Sequence, residues 1–288
     1  MVILVTGASG QLGQSLQYIA KDYQDYEFIF ASSKDLDITN QERVNHFFDT
    51  HKIDFCINAA AYTAVDKAES EIEKAQAINV AGPKNLAIAC KNNNVKLIHI
   101  STDFVFDGAS KKPYLETDTV NPLGVYGATK WEGELEIMKH MSEFFIIRTS
   151  WVYSQFGNNF MKTMLRLASE RDSLNIVSDQ VGSPTNAVDL AKAILQIINY
   201  FQLPKPNTQN LFGIYNFSNE GMTSWYEFAK EIFRINSISI EVNPIPTEAF
   251  PTPAKRPKYS VLDKSKIKNT FNIGIKSWQE SLQQIIGL

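Results

Sequence analysis

The sequence predicts an α/β protein with a Rossmann-type, doubly wound parallel sheet, helices on both of its faces, and a smaller C-terminal substrate lobe. Short apolar runs alternate with helical runs through the first 150 residues, and the first of them leads directly into a glycine-rich turn. These apolar runs do not alternate with polar residues, which is typical of strands that are buried on both faces.

The elements of the first half follow in order. Strands are predicted at VILVT, EFIFA, IDFCIN, VKLIHIS and FFIIRTS, which are rich in β-branched and aromatic residues. Helices are predicted over 11–21, 40–50 and 66–92, the last broken at Gly82-Pro83, and a fourth helix carries VYGATK. Strand–helix–strand alternation favours parallel strands joined by crossover helices.

The pattern changes after residue 150. Amphipathic helices are predicted near 158–170, 185–200 and 224–235, with a polar linker, LPKPNTQN, at 203–210. We interpret the proline-rich stretch 243–260 as a ligand-covering loop, with a surface connector as the alternative. We assign 1–150 to a dinucleotide-binding domain and 151–185 with 218–288 to a substrate-binding lobe. Whether about 186–217 return to the first domain is left open.

Composition excludes several classes of function. The 288 residues are 44% hydrophobic and 20% charged, and the formal charge of −3 offers no basic footprint for nucleic acid. No apolar run approaches the roughly 20 residues that span a bilayer, and the N-terminus has no leader pattern. Cys56 and Cys90 lie in apolar stretches, and the four histidines have no metal-ligand spacing. We therefore expect a cytoplasmic protein without a metal or a membrane partner.

The first turn has the pattern of a dinucleotide-binding loop. The strand VILVT runs into GASGQLG, which contains Gly7, Gly10 and Gly13. Glycines allow a tight turn and a close approach of backbone N–H groups to a pyrophosphate, while the helix that follows directs its positive end at the phosphates. Because the triplet follows a strand and opens a helix, we predict nucleotide binding.

The end of the second strand bears on the choice of cofactor. The chain reads FIFASSKDLDIT, and its serine hydroxyls and Lys34 tolerate a 2′-phosphate, so NADPH is favoured and NADH is left open. Asp35 and Asp37 weigh against that preference. Asp37 and Ile38 are also placed to flank the adenine.

The reacting groups are predicted at the end of the fourth strand and on the next helix. Ser101, Thr102 and Asp103 follow the strand, where the carboxyl ends of parallel strands line a ligand crevice. Tyr126 and Lys130 are four residues apart and share a helix face. The lysine is expected to lower the pKa of the phenol, which then passes a proton to a carbonyl oxygen while Thr102 positions that oxygen.

The chain resembles the extended short-chain dehydrogenases/reductases and, within them, the dTDP-4-dehydrorhamnose reductases. The resemblance covers nearly the whole chain, and its segments are individually weak but specific in this order. They are GASGQLG, INAAAYTAVDKAE, STDFVFDG, PLGVYGATKWEGE, RTSWVY, GNNFMKTMLRLA, SDQVGSPT, TSWYEFA and RPKYSVLD.

The resemblance implies reduction of the 4-keto group of dTDP-4-dehydro-L-rhamnose to dTDP-L-rhamnose, with Tyr126 as proton donor and Lys130 and Thr102 as its partners. Core packing is the alternative for Trp151, and a solvated loop position is the alternative for Arg256. Trp225 is expected to pack the second lobe, with stacking on a base as its alternative. The implied cofactor contacts are Gly10, Gln11, Leu12, Ala61, Tyr62, Thr63, Tyr126 and Lys130, with the lysine holding the nicotinamide ribose. The implied substrate contacts are Thr102, Asp103, Trp151, Asn159, Gln180 and Arg256.

Some members of this family pair through a magnesium ion held by glutamates, one of them just past the glycine loop. Gln14 and Ser15 stand there in this chain, so we do not expect a metal-bridged dimer, and a homodimer of another kind is left open.

Two other functions remain as alternatives. Dehydratases and epimerases of the same superfamily typically have a glutamate directly after the T-D pair, where this chain has Phe104. A non-catalytic, NADP-binding regulatory subunit is the other alternative, since such a relative can keep the same reacting residues.

Overall fold

The structure, a computed structural model, describes residues 1–203 and 211–286. Within them a central parallel sheet carries helices on both faces, and smaller strand pairs lie beyond its carboxyl edge. The strands are β1 (Val2–Thr6), β2 (Glu27–Ala31), β3 (Phe55–Asn58), β4 (Lys96–Thr102), β5 (Phe144–Thr149), β6 (Val152–Tyr153), β7 (Ser173–Val177), β8 (Val181–Gly182), β9 (Thr185–Asn186), β10 (Gly213–Asn216), β11 (Thr223–Ser224) and β12 (Glu241–Ile245).

The helices include two single turns of 3₁₀ type, at Asp103–Val105 and Thr247–Ala249, and one π-helical turn at Ala77–Ala81. The α-helices are α1 (Gln11–Ala20), α2 (Gln41–Thr50), α3 (Val65–Ala68), α4 (Ile72–Gln76), α5 (Gly82–Asn92), α6 (Val125–His140), α7 (Phe160–Glu170), α8 (Ala187–Tyr200), α9 (Trp225–Ile235), α10 (Ser265–Phe271) and α11 (Trp278–Ile286).

The large sheet has the strand order β10-β5-β4-β3-β1-β2, and each neighbouring pair is parallel. The chain passes from β1 to β2 on one side and then crosses to β3 on the other, so the order reverses at β1. A crevice opens at such a reversal, outside the carboxyl ends of the strands. This topology confirms the predicted fold class.

Both faces of the sheet are buried, as the continuous apolar strands predicted. Ile3 and Val5 of β1 face a cluster that includes Leu16 of α1 and Ile194 of α8. Leu4, between them, faces the opposite cluster with residues of α2, α5 and α6. Successive side chains of a strand point to opposite faces, so one apolar run serves two helical layers.

The smaller lobe has a core of its own. β7 and β12 form a parallel pair, β8 pairs with β11, and β6 pairs with β9. Side chains from α7, α9 and α11 pack there, among them Met164, Phe228 and Leu282. This lobe lies at the carboxyl edge of the large sheet, because β6 follows β5 directly.

The long helical stretch after β3 differs from the sequence prediction. Its interruption falls at 69–71, between α3 and α4, whereas Gly82-Pro83 opens α5 directly after the π-helical turn. Proline is tolerated in the first turn of a helix, where its missing N–H removes no intrahelical bond. The predicted break at Gly82-Pro83 is therefore wrong.

Segment 186–217 contributes to the large sheet through β10, which pairs with β5, and α8 packs on α1. The division of the chain into two domains stays a prediction. The predicted linker lies mostly outside the described residues, in 204–210. The proline-rich stretch begins within β12, where Pro244 pairs with Ile176 of a two-stranded sheet and so occupies an edge strand.

Candidate active site

The predicted site residues lie at or beyond the carboxyl edge of the large sheet. The glycine loop follows β1, Asp37 and Ile38 follow β2, and Ala61 to Thr63 follow β3. Thr102 ends β4, Tyr126 and Lys130 lie on α6, and Trp151 follows β5. The parallel topology brings these separate segments to one crevice.

The glycine loop is shaped by close backbone contacts. Gly7 has φ +69°, and a Cβ there would lie 2.5 Å from the Ala60 nitrogen. A Cβ on Gly13 would lie 2.5 Å from the Gly7 oxygen. Gly10 caps α1 without a side-chain hydrogen bond, and Leu12 is buried beneath the first turn. The N–H groups of that turn are therefore suited to an anion such as a pyrophosphate.

Gln11 and Asn159 connect the glycine loop to the smaller lobe. The Gln11 Oε1 atom accepts hydrogen bonds from Ser154 Oγ at 3.1 Å and from Asn159 Nδ2 at 3.0 Å. Asn159 Oδ1 also accepts the Lys162 N–H at 3.1 Å and caps α7. Asn159 is thus occupied by protein partners, and its role in substrate binding stays a prediction.

The segment after β2 places a carboxylate near the strand end. Asp35 Oδ2 accepts hydrogen bonds from the Ser32 hydroxyl at 2.6 Å and the Ser32 N–H at 2.9 Å, which hold the pKa of Asp35 below its usual value. Asp37 Oδ1 accepts two bonds from Thr39. Ile38 is buried, with its side chain close to Gly82.

The segment after β3 is held by Asn79, which sequence reasoning missed. Asn79 Oδ1 accepts the Tyr62 N–H at 2.9 Å, and Asn79 Nδ2 donates to the Tyr62 oxygen at 3.1 Å. Tyr62 is buried, Ala61 is half-buried and Thr63 is exposed. These two hydrogen bonds fix the backbone of Tyr62 beside the glycine loop. In the sequence, the one indication of this role was that Asn79 is a polar residue in an otherwise apolar helical turn.

Tyr126 lies beside Thr102, with its ring edge-on to Phe104 at 5.5 Å between centroids. A Cβ on Gly127 would lie 2.2 Å from the Phe104 oxygen, so the glycine lets α6 approach the turn after β4. Burial raises the pKa of Tyr126 to about 12; a hydrogen bond with Thr102 opposes the rise and the charge of Asp103 adds to it.

Lys130 does not act on the phenol as expected. Its Nζ atom donates to the Ile100 oxygen at 2.6 Å and lies 3.2 Å from His99 Nε2. Burial lowers the pKa of Lys130 to about 8, against an opposing effect of Glu134. The expectation that the lysine lowers the pKa of Tyr126 is wrong, because desolvation of the phenolate raises that pKa and the opposing hydrogen bond comes from Thr102. A phenol that stays protonated is nevertheless suited to act as a general acid.

Asp103 has a buried carboxyl group with one unused oxygen. Its Oδ1 accepts the Thr102 hydroxyl at 3.1 Å, whereas its Oδ2 is buried without a hydrogen-bond partner. Burial raises the pKa of Asp103 to about 6, and the nearby hydroxyl groups of Ser260 and Thr102 oppose the rise. An unpaired buried acceptor beside a reacting phenol is suited to a substrate hydroxyl.

Trp151 is held in a strained backbone conformation. Its φ is +47°, in the left-handed region, and its indole stacks on Trp225 with 3.5 Å between centroids and 9° between planes. A Cβ on Gly182 would lie 2.5 Å from the indole, so only glycine leaves room for it. Trp225 packs within the second lobe, as predicted, and supports the indole that is expected to contact the sugar.

A cavity of about 640 Å³ lies between α7, β7 and the proline-rich loop. Gln180 lines it and donates to Thr247 Oγ1 at 3.1 Å. Arg256 also lines it, but its guanidinium forms a bidentate pair with Asp66, at 3.0 and 2.7 Å. The pair joins the proline-rich loop to α3 and lowers the pKa of Asp66. Sequence reasoning missed Asp66.

Comparison with known proteins identifies the family. The model of the RmlD substrate binding domain family matches residues 1–287. The chain belongs to this family. It is 43% identical over 290 residues to the dTDP-4-dehydrorhamnose reductase of Aggregatibacter actinomycetemcomitans, a match that covers 98% of this chain and 97% of the relative.

Solved structures agree with that assignment. The dTDP-4-dehydrorhamnose reductase of Clostridium acetobutylicum is 45% identical, with a TM-score of 0.93 and coverage of 100% of this chain and 99% of the other. The Bacillus anthracis reductase, solved in complex with NADP, is 39% identical, with a TM-score of 0.93 and coverage of 99% and 98%.

Two further findings concern residues 1–203 and 211–286. In that part of the chain, the His, Cys, Asp and Glu side chains form no group of three or more that could hold a metal ion. The same residues include no helix with the length and apolar character needed to cross a membrane.

Proposed function

We propose that the protein reduces the 4-keto group of dTDP-4-dehydro-L-rhamnose to give dTDP-L-rhamnose, with NAD(P)H as reductant. The observation that carries the proposal is the hydrogen bond between Tyr126 and Thr102 in the crevice beside the glycine loop. The names of the family members at 43% and 45% identity support it.

The chemistry follows from the state of the phenol. The nicotinamide supplies a hydride to the carbonyl carbon when it is bound. Tyr126, whose pKa is about 12, stays protonated near neutral pH and donates its proton to the carbonyl oxygen. Thr102 orients that oxygen, and the free Oδ2 of Asp103 is available to a sugar hydroxyl.

NADPH is the favoured cofactor in this proposal. The Bacillus anthracis relative was solved with NADP. In this chain, Ser33 and Lys34 are exposed after β2 and suit a 2′-phosphate, while the carboxylate of Asp35 is engaged by Ser32. NADH is left open because that carboxylate remains near the strand end.

The substrate nucleotide and diphosphate are proposed to occupy the 640 Å³ cavity, with the sugar directed towards Trp151 and Tyr126. Apolar walls from Phe160, Met164 and Trp225 suit a base, and Arg256 suits a diphosphate. Because Arg256 is paired with Asp66, we expect the guanidinium to contact the diphosphate with its remaining donors or to exchange partners.

Elimination chemistry is disfavoured by the residue after Asp103. Phe104 has no carboxylate that could remove a substrate proton. Its ring instead packs edge-on against the Tyr126 ring. We also propose a cytoplasmic location, with a homodimer left open.

The test is cofactor oxidation by the purified chain with dTDP-4-dehydro-L-rhamnose, run with NADPH and with NADH and followed by product analysis. We expect one NADPH consumed for each dTDP-L-rhamnose formed. A product formed without net cofactor consumption would indicate a dehydratase or epimerase. Tight NADPH binding without oxidation would indicate the regulatory subunit.

A further inference from the structure

A chain of four buried polar side chains runs beneath the crevice from β1 to α6. Thr6 Oγ1 donates to Asn58 Oδ1 at 2.8 Å, Asn58 Nδ2 lies 3.0 Å from His99 Nδ1, and His99 Nε2 lies 3.2 Å from Lys130 Nζ. None of the four residues is more than 2% exposed. His99 lies on β4 beneath the reacting groups, and sequence reasoning gave it no role.

The orientation of the Asn58 amide is determined by its neighbours. The Ala60 N–H, which can only donate, points to Asn58 Oδ1 at 3.2 Å, and Thr6 donates to the same oxygen. The amide NH₂ therefore faces His99 Nδ1 and requires an acceptor there. Burial and Lys130 hold the pKa of His99 well below its usual value, so the ring is neutral. Its single proton consequently resides on Nε2.

This tautomer presents Lys130 with a donor. An ammonium group has three donors and no acceptor, whereas a neutral amine has a lone pair that can accept the His99 Nε2–H. The Ile100 oxygen, at 2.6 Å, can serve either form. The nearby charges are Glu134 on the same helix, whose carboxylate is paired with Arg148 of β5, and Asp103, which acts on Tyr126.

We propose that His99 is a positioning residue that lowers the proton affinity of Lys130, and that Asn58 sets the His99 tautomer that does so. The catalytic meaning of this inference rests on the proposed function, in which Lys130 is a partner of Tyr126. The proton affinity itself does not depend on that function.

Two substitutions replace the hydrogen-bond donor that faces Lys130 with an acceptor. His99→Gln offers a carbonyl oxygen to the ammonium without adding charge. Asn58→Asp provides a carboxylate that accepts the Nδ1–H of His99, so that Nε2 becomes an acceptor for Lys130. Each should raise the pKa of Lys130 by on the order of one unit. Thr6→Val is the matched control, because Ala60 still orients Asn58, and it should leave that pKa unchanged.

The measurement is an NMR titration of lysine side chains in the ligand-free protein, with the Lys130 signal assigned by its loss in Lys130→Arg. We expect a wild-type pKa of about 8. A wild-type value near the ordinary value of about 10.4 would overturn the inference without any variant. An unchanged Lys130 pKa in folded His99→Gln would also overturn it. If His99→Gln does not fold, an unchanged Lys130 pKa in Asn58→Asp would do so.

The pH dependence of kcat/KM separates this inference from the proposed function. If both hold, the alkaline limb moves upward by the same amount as the pKa of Lys130 in the two variants. The Lys130 pKa from NMR could shift while the alkaline limb of the kcat/KM profile stays in place, or while the protein shows no turnover. Either result would count against the catalytic role of Lys130 and would leave the inference about His99 intact.

Discussion

The two sides of the crevice are built in different ways. On the dinucleotide side, Gly7, Gly10 and Gly13 lie within seven residues, and their shape comes from backbone contacts with adjacent strands. On the proposed substrate side, the Arg256–Asp66 pair joins residues 190 positions apart. The first side is a local motif held by a sheet, whereas the second is assembled from loops. Substitutions should therefore affect them differently.

The largest effect on turnover is expected at Tyr126, between the two sides of the crevice. Tyr126→Phe should lower kcat by about 10² to 10⁴, the usual contribution of a general acid. NADPH affinity should change little, because the glycine loop is untouched. Steady-state kinetics and a binding titration measure the two quantities. Tyr18→Phe, on the exposed face of α1, serves as the control, and near-normal turnover in Tyr126→Phe would remove the assignment.

Asp103 should make stability depend on pH. Its folded pKa of about 6 lies above the reference value of 3.8, so its contribution is fully present below pH 3.8 and is lost as the pH rises through 6. The difference corresponds to about 3 kcal/mol in the free energy of unfolding. Asp103→Asn should remove this component. Denaturant unfolding at pH 4 and pH 7 measures it, and parallel profiles for the two proteins would contradict the prediction.

A single added methyl group should disrupt the close packing of α6 against the turn after β4. Gly127→Ala places a Cβ against the Phe104 oxygen, at 2.2 Å before any shift, and should cost about 1–3 kcal/mol in stability. Turnover should fall as Tyr126 moves from Thr102. Gly274→Ala is the matched control, since a Cβ there meets no atom within 4 Å. Equal unfolding midpoints for the two variants would refute the close approach.

The substrate side is tested by Arg256→Ala. Loss of a charge-assisted contact should raise the KM for the nucleotide sugar by roughly 10- to 100-fold, with kcat and NADPH affinity nearly unchanged. Lys258→Ala is the control, because its pair with Glu248 is exposed and such pairs contribute little. If KM is unchanged in Arg256→Ala, the guanidinium serves only the loop through Asp66.

Much of the fold was predictable because its signals are local. Continuous apolar strands indicated a sheet buried on both faces, and the strand–glycine–helix order indicated its first crossover. The predicted break at Gly82-Pro83 failed because a π-helical turn precedes the proline, which a propensity argument does not detect. In the site, the spacing of Tyr126 and Lys130 was informative, but the direction in which Lys130 points was not.

Residue types at short spacing were enough to predict the fold class and the glycine loop, and they made a phenol the proposed acid. The partners of those residues became known from the folded structure. His99 reaches Lys130 from another element, Asp66 holds Arg256, and Trp225 supports Trp151. Burial and contacts between distant segments set proton affinities and side-chain directions, and these arise only when the chain has folded.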